Sequence, residues 1–344
     1  RGRFIRMTSS IPPRSPMRTA WLVVGLLWPV ALLNYLDRQM LATMKTSMVA
    51  DIDGLVTDAQ WGFVLASFKW VYAFLSPIGG FIADRFSRRH VIAVSLFAWS
   101  IVTWMTGHVD TYNGLVATRA LMGISEAFYI PAALALIADF HLGSTRSRAV
   151  GIHQTGIYIG LILGGYAGYV ADEPSLGWRW AFDAAGIVGV VYALPLFLLL
   201  KNPPRPHELG AVSPTPLRML GELFGNRNYQ LLVLYFTLPA IAGWVIKDWM
   251  PVILKTQFNL SQGEAGKVAV LYVQIASIAG AVIGGLLADR WMRRTQRGRI
   301  YTSALGMILF LPALFGLGNP GTVMLAILFL ILFGIGWGFF DCNN

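Results

Sequence analysis

The chain has 344 residues, of which 56% are apolar and only 13% charged, and its mean hydropathy is +0.58. A soluble domain carries roughly twice that share of charge, so an ordinary water-soluble fold is excluded and a membrane-embedded one is expected. The net charge of +10 sits in short loops and an N-terminal tail, which argues for membrane topology and against nucleic acid as a partner; the single cysteine, Cys342, allows no internal disulfide and no cysteine-based metal cage.

In chain order, Arg1, Arg3, Arg6, Arg14 and Arg18 form a basic tail over 1–19 without the pattern of a secretory signal, as expected of a retained cytoplasmic terminus. Ten apolar runs long enough to cross a bilayer follow, near 20–44, 59–83, 90–109, 112–139, 147–171, 178–200, 229–254, 263–288, 299–317 and 321–341. Their connections alternate in charge. The tail, Arg85–His90, His141–Arg148, Lys201–Arg227 and Asp289–Arg299 hold most of the Arg and Lys, whereas the others hold Asp51, Asp53, Asp58, Asp110, Asp172 and Glu173. The positive-inside rule makes the first set cytoplasmic. The segment 201–228, with Pro203, Pro204, Pro206, Pro214 and Pro216, is the expected cytoplasmic linker between an N-terminal six-helix bundle (20–200) and a C-terminal group of four helices (229–344).

One motif occurs twice. Gly79-Gly80 followed by Asp84-Arg85 and Arg88-Arg89 recurs about 205 residues later as Gly284-Gly285, Asp289-Arg290 and Arg293-Arg294, with Ala83 and Ala288 in matching places. A duplicated loop inside an apolar chain implies two homologous membrane halves. The pair of motifs resembles the loop between the second and third helices of each half in the major facilitator superfamily of secondary transporters. The resemblance implies an all-α polytopic membrane protein with the major facilitator fold, two pseudo-symmetric helix bundles. It also implies twelve spans, so about ten of twelve are expected here and the C-terminal bundle is expected to be incomplete, the alternative being a genuine ten-span protein. Gly80, Asp84, Arg85, Arg88 and Arg89, with Gly285, Asp289, Arg290, Arg293 and Arg294, are then the gating loops that latch the cytoplasmic side.

Ionisable residues inside a span are costly and mark functional positions. The first run contains Asn34-Tyr35-Leu36-Asp37-Arg38, and the fourth contains Arg119 and Glu126, two helical turns apart on one face with Gly123 as a notch between them. Two acids and two arginines can satisfy each other, and protonating one acid frees an arginine to bind an anion. The alternative is a static cluster that fixes helix packing, or, for Asp37-Arg38, a pair that snorkels to the interface. Lys69 lies mid-span and needs a counter-charge, either a substrate carboxylate or a permanent bridge to Glu126 or Asp37; Tyr72 shares its face. In the fifth run Gly156, Gly160, Gly164 and Gly168 form a groove for close helix contact, and His153 and Gln154 are polar near its cytoplasmic third. Gln274, Lys247-Asp248, Asp341 and Asn343 are the polar positions of the second half. Lys247 and Asp248 read as an interfacial pair or outer gate, and Asp341 as lying near the cytoplasmic end of its span. Pro131, Pro195, Pro239 and Pro251 mark bends.

Asn-Tyr-x-Asp-Arg in the first run, with Arg-x-x-x-Gly-x-x-Glu-Ala and Pro131 in the fourth, resembles the anion:cation symporter family, and spinster-type lipid carriers share much of the pattern. The resemblance implies Asp37 and Glu126 as proton-coupling sites, and Arg38 and Arg119 as their partners. Arg119, Lys69, Tyr72, Arg38, Tyr35, His153, Gln154 and Gln274 form the expected substrate-binding set. Lys69 departs from the family's more usual aromatic, and the glycine run of the fifth span lacks the Gly-Pro of antiporters. The expected function is proton-coupled symport of a small organic anion, a sugar acid or other carboxylate, by a monomer in a bacterial inner membrane. The proton is the coupling ion, with no metal and no other cofactor. A spinster-like lysolipid carrier is the alternative, and a non-transporting receptor on the same fold is the reading from a different class. No His-Glu-x-x-His or Ser-x-x-Lys placed for catalysis is present, so an enzyme is not expected.

Overall fold

The computed structural model describes residues 17–141, 145–203 and 221–342; the first sixteen residues of the basic tail and most of the 201–228 linker lie outside them. Among the described residues ten helical columns follow the apolar runs. Span 1 is Met17–Thr43, span 2 Asp58–Arg85 and span 3 Arg88–Thr106. Span 4 is broken into Tyr112–Glu126 and Tyr129–Phe140, span 5 into Arg146–Gly165 and Ala167–Asp172, and span 6 is Gly177–Leu199. Spans 7 to 10 are Arg227–Phe258, Gln262–Met292, Gly298–Gly318 and Val323–Asp341.

Eight of these helices are long and apolar enough to cross a membrane, counting span 4 as one. Spans 3 and 5 fall short of that measure: one opens on Arg88, Arg89 and His90, and the other carries Arg146, Arg148, His153 and Gln154. Both are nevertheless packed along full spans, span 3 against span 6 and span 5 against span 1. Large apolar side chains such as Phe74, Leu286 and Phe315 point outward, as a lipid solvent requires. The chain is a multi-pass integral membrane protein.

The two halves repeat in their capping as well as in their loops. Thr57 and Ser261 open spans 2 and 8 with capping boxes to Gln60 and Glu264, and Thr111 and Thr322 cap spans 4 and 10. Each satisfies backbone N–H groups that an apolar medium would leave without a partner.

Glycine sets the helix spacing inside the N-terminal bundle. A Cβ at Gly156 would lie 2.7 Å from the Trp28 carbonyl oxygen, and one at Gly164 would lie 2.8 Å from that of Leu36. Span 5 therefore rides directly on the span 1 backbone. The motif glycines behave alike in both halves: Gly79 faces the Ala127 carbonyl (2.5 Å from an added Cβ) and Gly284 faces Phe339 Cα (3.0 Å). Gly80 and Gly285, expected as the gating glycines, have nothing within 4 Å of an added Cβ, so helix rotation gives the packing role to their neighbours.

The halves meet through spans 5 and 8 and spans 1 and 7. Asp172 accepts from the Gly263 N–H at 2.8 Å, Gln262 donates to the Ser47 hydroxyl at 2.8 Å, and Lys69 pairs with Asp248. With the Arg85–Arg89 side taken as cytoplasmic, these contacts lie in the outer half of the molecule.

Candidate functional site

Asp37 and Arg38 are adjacent on span 1, so the helix directs them to different partners. Asp37 receives the Thr103 hydroxyl from span 3 and stands 3.9 Å from Arg119 of span 4. Arg38 donates from Nε to Glu126 at 2.7 Å. Asp37 and Arg119 are each 2% exposed and Glu126 is fully enclosed. The Phe68 ring lies 4.8 Å from the Arg38 guanidinium carbon and 5.0 Å from that of Arg119, and the Tyr35 and Tyr72 rings are also stacked on Arg38. A plane of delocalised charge between aromatic faces suits arginine and not lysine.

Glu126 occupies a break in its helix. Pro131 has no N–H to give the Ala127 carbonyl, the helix pauses at Ala127 and Phe128, and Gly79 of span 2 closes on that carbonyl. Gly123, one turn earlier, admits the Phe68 carbonyl (2.7 Å from an added Cβ). The notch between Arg119 and Glu126 thus holds the part of span 2 that carries Phe68 and Tyr72.

A cavity of about 220 Å³ lies between the halves. The N-terminal half contributes Tyr35, Arg38, Gln39, Gln154 and Tyr158 to its wall. From the other half come Trp244, Lys247, Asp248, Trp337 and Asp341. The Lys247 ammonium sits 5.2 Å from the Trp337 ring and 5.9 Å from that of Trp244, and the Tyr158 hydroxyl donates to Asp341 at 2.9 Å.

Of the expected binding set, Tyr35, Arg38 and Gln154 line this cavity. Arg119 and Tyr72 stand behind Arg38. Gln274 is buried within span 8, and His153, 1% exposed, packs on Tyr129 with Nε2 at 2.9 Å from its hydroxyl. Lys69 bridges neither to Glu126 nor to Asp37: its partner is Asp248, across the seam between halves, where span 2 approaches span 7. Lys247 and Asp248, expected as an interfacial pair or outer gate, both line the cavity, and Asp248 is held across the seam by Lys69. Asp341, expected near the cytoplasmic end of its span, is the last residue of the Val323–Asp341 helix and is bonded to Tyr158, midway along span 5. Tyr158, one turn beyond Gln154, had a readable signal in that spacing; Trp244 and Trp337 had none apart from residue type.

In the first motif loop Arg88 donates to the carbonyls of Ala83 (3.1 Å) and Ala135 (3.2 Å) and pairs with Asp84 and Asp139, all within the N-terminal half. Arg85 stacks on Phe81. In the second loop Arg290, Arg293 and Arg294 are exposed.

The profile described as Major Facilitator Superfamily matches residues 27–344. The chain belongs to the Major Facilitator Superfamily. Within it, this member is 28% identical over 309 residues to "Protein spinster" of Drosophila melanogaster, covering 87% of this chain and 51% of the relative. It is 26% identical over 359 residues to the "Probable galactarate/D-glucarate transporter GarP" of Escherichia coli (strain K12), covering 94% of this chain and 79% of the relative. The fold matches the crystal structure of a bacterial homologue of the human lysosomal transporter Spinster with a TM-score of 0.77 at 21% identity, over 96% of this chain and 74% of that one. The chain spans about half the length of the Drosophila relative.

Proposed function

We propose that this superfamily member is a secondary active transporter that couples protons to the uptake of a small organic anion, a sugar acid or other carboxylate, by alternating access. The observation that carries the reading is the charge balance in and around the cavity between the halves. Arg38, Lys69, Arg119 and Lys247 stand among Asp37, Glu126, Asp248 and Asp341, four of each sign. Each proton taken by an acid leaves one positive charge uncompensated in a medium where that is costly, and a bound anion restores neutrality.

Asp37 and Glu126 are the proton sites. When Glu126 is protonated, Arg38 loses its counter-ion while still facing the cavity, so it becomes an anion ligand opposite Lys247. Arg119 does the same for Asp37 from behind, through the field it exerts and not by contact. The bundles rock about this site, and Lys69–Asp248 and Asp172–Gly263 part when the outer side opens. The cavity holds roughly seven water volumes, which suits a compact polar ion.

The spinster resemblance favours a second reading, in which the anion is the head of a lysolipid held by the same Arg38 and Lys247. A ligand-induced thermal shift separates the two. Sugar diacids and monocarboxylates are expected to raise the melting temperature of the native protein and to have no effect on Arg38→Ala, while neutral sugars do nothing. Stabilisation by lysolipids alone would replace the first reading with the second.

A further inference from the structure

Spans 1 and 4 run in opposite directions, and two contacts set their register. Tyr129 donates its hydroxyl to the Leu27 carbonyl at 3.1 Å, and further along Asp37 meets Arg119 at 3.9 Å. Between those levels span 1 presents Asn34 and span 4 presents Glu126. Asn34 is 0% exposed, and neither its Nδ2 nor its Oδ1 has a hydrogen-bond partner among the described residues. Asp37 Oδ1, Arg119 Nε and Glu126 Oε1 are in the same condition. Asn34 precedes Asp37 and Arg38 by one helical turn and so shares their face of span 1, at a level between those of Asp37 and Glu126.

Buried polar groups of this kind are met by ordered water where two to four of them converge. Around these groups span 3 supplies Thr103 to Asp37, Arg38 bonds the other Glu126 oxygen with the Tyr35 and Tyr72 rings against it, span 2 supplies the Phe68 ring beneath both guanidiniums, and span 5 contributes His153 against Tyr129 on the cytoplasmic side. Asn34 is absent from the cavity wall.

We propose that Asn34 holds ordered water between the Asp37 and Glu126 carboxyls, so that the two acids exchange a proton without opening to the substrate cavity. An amide is suited to this: Nδ2 donates to the water oxygen and Oδ1 accepts from it, and neither titrates. The protonated carboxyl gives its proton to the water, and the water gives one of its own to the facing carboxylate. One O–H bond breaks and one forms at each stage, and one proton is moved in all. The proposal rests on the proton-coupled reading above.

The test is infrared difference spectroscopy of the reconstituted protein after a pH jump, in ordinary water and in water enriched in oxygen-18. The native protein is expected to show a bound-water O–H band that shifts with the isotope, absent from Asn34→Leu and present in Asn34→Ser, whose hydroxyl still holds water. In the same vesicles, carboxylate-driven proton entry in Asn34→Leu is expected to fall about tenfold while carboxylate exchange stays within about twofold of native. A native protein without the isotope-sensitive band, or an Asn34→Leu variant that keeps it, overturns the proposal. Equal loss of proton entry and exchange would assign Asn34 a packing role and overturn it too. If no anion drives protons into vesicles containing native protein while the water band is present, it is the transport reading that fails.

Discussion

Gly123→Ala tests whether the notch between Arg119 and Glu126 holds the site together. The added Cβ would stand 2.7 Å from the Phe68 carbonyl oxygen, 3.0 Å from Val71 Cβ and 3.2 Å from the Tyr72 backbone nitrogen, where ordinary contact begins at 3.4 Å. Two of these three atoms are backbone and cannot rotate away, so span 2 must shift by several tenths of an ångström. Overpacking of this kind costs about 1–3 kcal/mol. The gain in helix propensity from Gly to Ala offsets at most about 1 kcal/mol. A net loss of about 1–2 kcal/mol is expected, about five- to thirtyfold in the ratio of folded to unfolded protein. Gly151→Ala is the control: nothing lies within 4 Å of its Cβ, so the propensity term acts alone and the variant should melt at or above the native temperature. Melting in detergent reads the stability. Vesicle proton entry reads the displacement of Phe68 and Tyr72 from Arg38. Opposite signs for the two alanines are predicted; a Gly123→Ala protein that melts with or above native would refute the packing argument.

Lys69→Ala removes a contact across the outer seam and is expected to favour the outer-open state by about fivefold, for a pair worth about 1 kcal/mol. Labelling of a Ser47→Cys probe in a Cys342→Ser background reads this, and the exchanged pair Lys69→Asp with Asp248→Lys should restore native labelling. Lys247→Ala should raise KM for the anion about tenfold with little change in kcat, because it removes a ligand and not a proton site. Arg38→Lys should fail in proton coupling as badly as Arg38→Ala, since a lysine cannot lie flat among Tyr35, Phe68 and Tyr72; coupling within about twofold of native would remove the stacking argument. Arg88→Ala, which loses two carbonyl bonds and two ion-pair partners, should lower stability by about 2 kcal/mol, whereas its exposed counterpart Arg293→Ala should change it by less than about 0.5 kcal/mol.

The positions of the spans were legible because a bilayer imposes length and apolarity on each helix, and most boundaries lie within a few residues of the expected ones. The Arg38–Glu126 and Arg119–Asp37 pairings were legible as a set, since four charges of balanced sign at one depth have few ways to be satisfied. Partners across the seam were not. Lys69 and Asp248 are 179 residues apart, and only the approach of span 2 to span 7 brings them together. The pairing of Asp341 with Tyr158 was not legible either, because position along a sequence does not specify where a helix sits relative to its neighbours. Helix rotation likewise decides between Gly79 and Gly80, which are indistinguishable as letters. Asn34 belongs to the Asn-Tyr-x-Asp-Arg motif, yet nothing local marks it as buried with both amide atoms unpartnered among the described residues.

The most direct test of the central claim compares native protein and Glu126→Gln in vesicles loaded with a pH dye, with an inward carboxylate gradient and no other driving force. Carboxylate-dependent acidification is expected with native protein. With Glu126→Gln none is expected, although the variant still exchanges labelled carboxylate across the membrane. Acidification that persists in Glu126→Gln, or carboxylate uptake by the native protein without any proton entry, would contradict that claim.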